Sequence, residues 1–162
     1  LELDVNKVDK DHHDHFLNGA IFEVYDKTAD AYVTTLASGQ LMITGEEKDE
    51  EYEISKKEDF SKVIKTVKTD ENKQVVLDID DGTYYSRKVG DDKVTKHVVK
   101  DGKAVLADAI YGHEYEFKEI KAPTSYQLAD KSKAYKVEAD EETDTIIYYF
   151  ENARIVVPNT GV

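Results

Sequence analysis

The sequence predicts a mainly β protein, a β-sandwich interrupted by one inserted α-helix near residues 55–68. Short runs of alternating apolar and polar residues recur along most of the chain, the period-two signature of half-buried strands. Ser38-Gly39, Asp80-Asp81-Gly82, Gly90-Asp91-Asp92 and Asp101-Gly102 punctuate those runs with turn chemistry. A single stretch changes period. Phe60, Val63, Ile64 and Val67 recur at helical spacing behind Ser55 and Glu58, which match the S-x-x-E capping box.

The first strand spans residues 1–8, with Leu1, Leu3 and Val5 on one face and Glu2, Asp4 and Asn6 on the other. A polar loop, 9–15, leads to strands expected at 20–25, 32–37 and 40–44. The acidic stretch 46–53 reads as a solvated loop before the helix. Strands then return at 74–79, 83–89, 94–99 and 104–110. Two more, at 115–120 and 145–152, flank a segment around Pro123, and 134–138 fits a short strand between them. Many short strands at close spacing, without a repeat or a Pro/Gly-rich linker, favour one sandwich over two domains.

Composition narrows the function. The 162 residues carry 22 Lys+Arg against 35 Asp+Glu, a net charge of −13. That balance argues against nucleic acid and against anionic lipid as partners. Eleven Tyr and five Phe separate the chain from disordered acidic segments. With no Cys, disulfides and thiolate metal sites are excluded. No run is long enough to span a membrane. The start at Leu1, without Met and already strand-like, reads as a piece of something longer.

Strand parity singles out three polar residues. Lys7 falls on the face of Leu3 and Val5, Glu119 on the face of Tyr115 and Phe117, and Asn152 on the face of Ile146, Tyr148 and Phe150. Each alone fits a strand end or edge whose side chain reaches water. Together, in the first, a middle and the last strand, they suggest one buried constellation, since burying any of them unpaired costs several kcal/mol.

These residues lie inside recognisable motifs. Leu3-Asp4-Val5-Asn6-Lys7-Val8-Asp9 followed by Leu17-Asn18-Gly19-Ala20-Ile21-Phe22-Glu23-Val24-Tyr25-Asp26 resembles the opening of a collagen-adhesin B-type (CnaB) domain of Gram-positive surface proteins and pilins. The run from Tyr115 through Glu119, Ala122, Pro123 and Tyr126 resembles that family's E-box, Y-x-L-x-E-x-x-A-P-x-G-Y, with Ser125 where Gly is usual. Phe150-Glu151-Asn152 is similar to its closing strand. Val157-Pro158-Asn159-Thr160-Gly161 resembles the L-P-x-T-G sorting motif, with Val in place of Leu. The resemblance implies a reverse-immunoglobulin, prealbumin-like sandwich over residues 1–156. It leaves a long insertion at about 27–99 and makes 157–162 the remnant of a sortase signal.

The resemblance also implies chemistry. Lys7 would attack Asn152 to form an intramolecular isopeptide bond, with Glu119 as the proton shuttle, a single-turnover reaction rather than an enzyme's. Sortase would cleave between Thr160 and Gly161 and pass Thr160 to another pilin subunit or to peptidoglycan. The protein is then expected outside the cell, anchored to wall or pilus, as a structural module. The alternative is an adhesin whose insertion binds a host ligand. Asp11-His12-His13-Asp14-His15 offers ligand types for a transition metal, but neighbouring residues cannot all converge on one ion, so no metal site is assigned. No Ser/His/Asp constellation, phosphate loop or paired-acid signature appears, and no cofactor is implied.

Overall fold

The computed structural model describes residues 1–138 and 144–156. The sorting-motif residues 157–161 and part of the acidic run before the last strand lie outside them. Thirteen strands and no helix make up the described residues: β1 (Glu2–Asp9), β2 (Ile21–Asp26), β3 (Ala31–Ala37), β4 (Leu41–Thr44), β5 (Glu51–Ser55), β6 (Val63–Lys68), β7 (Gln74–Leu77), β8 (Gly82–Lys88), β9 (Thr95–Val99), β10 (Lys103–Leu106), β11 (Glu114–Lys121), β12 (Lys133–Lys136) and β13 (Thr145–Asn152).

Two sheets form the sandwich, in strand orders β10-β1-β13 and β12-β11-β2-β3. β1 is central in the first. It pairs antiparallel with β10, setting Leu3 opposite Leu106, and parallel with β13, setting Lys7 opposite Phe150 and Asp9 opposite Asn152. Parallel neighbours need a crossover, and here it is nearly the entire chain. Leu3, Val5, Phe22, Val24, Tyr115, Phe117 and Phe150 fill the space between the sheets. Phe22 meets Phe117 and Phe150 edge-on, with ring centroids 5.8 and 4.9 Å apart, the arrangement aromatic quadrupoles favour.

The turn before β10 shows why glycine stands there. Gly102 has φ +69°, and a Cβ on it would fall 2.2 Å from Cβ of Phe16. Its carbonyl accepts from Lys7 N at 2.7 Å, so a side chain would push this turn off β1.

Residues between β3 and β10 build a second unit. A four-stranded sheet, β6-β5-β8-β9, and the pair β4-β7 enclose Leu41, Ile43, Ile54, Val75, Tyr84 and Val99. Met42, with Val76 packed beside it, joins Ile21 and Ala37 and fastens this unit to the sandwich.

The α-helix expected over 55–68 is absent; the segment is a β-hairpin. β5 and β6 pair antiparallel, with Ser55 opposite Val63 and an irregularity at Ile54/Ser55. Ser55 caps no helix. Its hydroxyl donates to the Lys62 carbonyl at 2.8 Å and accepts from Lys57 N at 3.0 Å, pinning the loop closed. Serine satisfies a turn amide as readily as a helix amide, which is why the capping pattern misleads. Phe60, at φ +58°, turns the chain and lies under the Arg87 guanidinium, 4.1 Å from the ring centroid. Val63, Ile64 and Val67 are β-branched and suit a strand better than a helix. Two of them, Val63 and Ile64, are exposed rather than core. The acidic stretch is also more ordered than a solvated loop. Glu50 accepts from Glu46 N and Glu47 N and pairs with Lys88 at 2.6 Å, and β5 begins at Glu51.

Candidate functional site

β1 lies between β10 and β13, and every residue of it from Leu3 to Asp9 is buried. Lys7 is 0% exposed, one of the largest fully buried side chains of the described residues. Its Nζ donates to the Phe150 carbonyl at 2.8 Å and to the Val8 carbonyl at 3.3 Å. It also lies 5.4 Å from the centroid of the Phe150 ring. Burial pushes the Lys7 amine down to about 8. Glu119 opposes that shift, Lys133 assists it, and Glu151 and Asp9 oppose it more weakly.

Glu119 and Asn152 are 3% and 2% exposed and meet directly. Asn152 Nδ2 donates to Glu119 Oε1 at 2.6 Å and to the Gln127 carbonyl at 2.8 Å. A backbone carbonyl can only accept, so the second bond fixes which end of the carboxamide is nitrogen. Ala129 N donates to the same Glu119 Oε1 at 3.0 Å. Two oxygens of the pair, Glu119 Oε2 and Asn152 Oδ1, are buried without a hydrogen-bond partner among the described residues. Each keeps lone pairs free to accept a further hydrogen bond.

The three parity-breaking residues thus come from β1, β11 and the end of β13 into the interior of one sandwich. The sequence reading missed what holds them. The segment after Pro123 crosses the ends of β11 and β13. Gln127 N donates to the Ala153 carbonyl at 2.8 Å and Ile155 N to the Ser125 carbonyl at 3.0 Å. Ser125 adopts φ +71°, in the left-handed region that glycine enters most readily. Gln127 and Ala129 act through backbone atoms, so no side-chain pattern announces them. Asp9 carried a signal, for it shares the inward parity of Lys7 and is 2% exposed.

The histidine loop does not assemble a site. His12 and His15 rings lie 5.1 Å apart, while His13 stacks on Tyr149 and pairs with Glu151 at 2.7 Å. Among the described residues no group of three or more His, Asp or Glu side chains is placed to hold a metal ion. No helix there is long and apolar enough to cross a membrane.

Solved structures similar to this chain include the minor pilin GBS52 of Streptococcus agalactiae, at 18% identity and TM-score 0.40, covering 99% of this chain and 47% of that one. A two-domain fragment of the major pilin SpaD of Corynebacterium diphtheriae matches at 16% identity and TM-score 0.36, over 94% of this chain and 46% of that one. The group B streptococcus pilus 2b backbone protein matches at 17% and 0.34, over 94% and 40%. The chain spans less than half the length of each. No curated protein matches it. Over half of the chain, residues 64–154, fits the model of the SpaA prealbumin-like fold domain, and the protein belongs to that family.

Proposed function

We propose that this chain is a structural module of a sortase-anchored pilin or wall protein, displayed outside the cell and locked by a Lys7–Asn152 isopeptide bond. It would comprise one domain over 1–156 with the second unit as its insertion, ahead of a sorting signal at Val157, Pro158, Asn159, Thr160 and Gly161. It is a structural domain, not an enzyme. The observation that carries the reading is the buried contact of Glu119 Oε1 with the Asn152 amide nitrogen, in the same core as a lysine whose amine burial pushes down to about 8.

The chemistry follows from those positions. Neutral Lys7 Nζ attacks Asn152 Cγ, and a C–N bond forms. Glu119, in its acid form, gives its proton to Nδ2, the Cγ–Nδ2 bond breaks and ammonia leaves. The attacking nitrogen returns a proton to Glu119, which ends as it began. Glu119 Oε1 lies 2.6 Å from the leaving nitrogen, within reach of proton transfer. The fold holds both reactants, replacing several kcal/mol of activation entropy.

Intact mass under denaturing conditions tests the reading. A deficit of one ammonia, mapped to a linked Lys7–Asn152 peptide, supports it; the full sequence mass removes it. A second reading, an adhesin, draws on a groove of about 600 Å³ between the sandwich and the insertion, bordered by β3, β4, β9 and β10 and including Tyr32, Val33, Lys96 and His97. Saturable host-ligand binding, lost when the insertion is trimmed, would favour it.

A further inference from the structure

We infer that Asp9, gripped by Tyr126 and Arg154, is a positioning residue for formation of the Lys7–Asn152 bond. The inference rests on the isopeptide reading above.

Asp9 lies two residues beyond Lys7 on the same face and opposite Asn152 in the β1–β13 register. All its acceptor capacity is used. Oδ1 accepts from Asp11 N at 2.8 Å and His12 N at 3.2 Å. Oδ2 accepts from the Tyr126 hydroxyl at 2.7 Å and from Arg154 Nε at 2.9 Å. These bonds hold the Asp9 carboxyl far below the usual carboxylate range, the Tyr126 hydroxyl contributing most.

The two partners bracket the reacting groups. Arg154 follows Asn152 by two residues, and Tyr126 directly precedes Gln127, whose carbonyl orients the Asn152 amide. Tyr126 and Arg154 also face each other as a bridge pair. Asp9 therefore ties the end of the nucleophile's strand both to the electrophile's strand and to the segment that aligns it. Three residues on, Ala129 N holds Glu119 Oε1, so the same segment governs the proton donor. Releasing Oδ2 frees residues 125–129 to slip, and the amide and the acid lose their alignment together.

Newly synthesised chains sampled over time by denaturing mass spectrometry give the rate of ammonia loss. Tyr126→Phe removes one hydroxyl and should slow it on the order of tenfold, since small misplacements of reacting groups cost that much or more. Asp9→Asn should slow the plateau rate too. It differs in pH behaviour, because Asp9 is among the charges around Lys7, with Glu119, Lys133 and Glu151, and its charge favours the protonated amine. The midpoint of the rate–pH profile should therefore move to lower pH in Asp9→Asn and stay put in Tyr126→Phe.

Folding is controlled in the Lys7→Ala background, where no bond can form. There Tyr126→Phe should melt within a few degrees of Lys7→Ala alone. Wild-type rates in both variants overturn the inference, as does a slowing that appears only at temperatures where the unlinked variant is already unfolded. A wild-type chain that never loses ammonia overturns the isopeptide reading instead, so the two failures are distinguishable.

Discussion

The sandwich and the insertion reach stability by different routes. The sandwich core buries an amine, a carboxyl and a carboxamide among aromatic rings, with Asp4 and Asn6 buried on the other face of β1. The insertion core is apolar, and the polar side chains buried beside it, Ser55, Thr69 and Ser86, are neutral hydroxyls with hydrogen-bond partners. A buried lysine held only by backbone carbonyls is a cost to stability, because desolvating an amine outweighs what those bonds return. The contrast separates a core that buries reactive polar groups from one filled by apolar packing.

Blocking the proposed bond is the largest perturbation. Lys7→Ala or Asn152→Ala would release a loop of about 145 residues, and on the chain-entropy model that costs about 5 kcal/mol. The sandwich should then melt much earlier by calorimetry while the mass matches the full sequence. Equal melting of linked and unlinked chains would remove the distinction drawn above. Next comes Ile54→Ala in the insertion, where truncating a fully buried side chain costs about 3 kcal/mol. Hydrogen exchange should quicken in β4–β9 and not in β1 or β13, and the linked peptide should still form.

Acid supplies a smaller, reversible test of the same boundary. Burial pushes His97 down to about 4, below its free value of 6.5. A depressed folded value means stability is complete above about 6.5 and is lost as pH falls towards 4. Amides of β8 and β9 should lose protection across that window, after correction for intrinsic exchange, before those of the sandwich; constant protection would contradict the assignment. Smallest is Ser55→Ala, which deletes the hydroxyl pinning the β5–β6 loop and should cost about 1 kcal/mol, confined to the insertion. A matching loss in the sandwich, read by near-ultraviolet dichroism of its aromatics, would mean the two units unfold as one.

Much of the sandwich was legible because alternation and turn residues are local signals. The first and last strands and the inward parity of Lys7, Glu119 and Asn152 follow from period two, and the Asp101-Gly102 turn from its residue types. The hairpin at 55–68 was not, since Ser55 serves a turn as well as a cap and the seven residues of loop between β5 and β6 realign the apolar spacing. Nor was the parallel pairing of β1 with β13, which no local pattern encodes. The grip of residues 125–129 on the site is mostly backbone, and Asp9, Tyr126 and Arg154 meet from three distant stretches of sequence.

The direction of β13 has a mechanical consequence. Because β1 and β13 run parallel, a pull applied at the Glu2 end of one and the Asn152 end of the other slides the strands lengthwise past each other. The eight register pairs from Glu2–Thr145 to Asp9–Asn152 then resist in concert, as in shear, where antiparallel neighbours would peel apart one rung at a time. A covalent tie from Lys7 to Asn152 would route that tension through residues 2–7 of β1 and straight out of the domain. The insertion, the second sheet and both cores would hang beside the taut segment, unstretched.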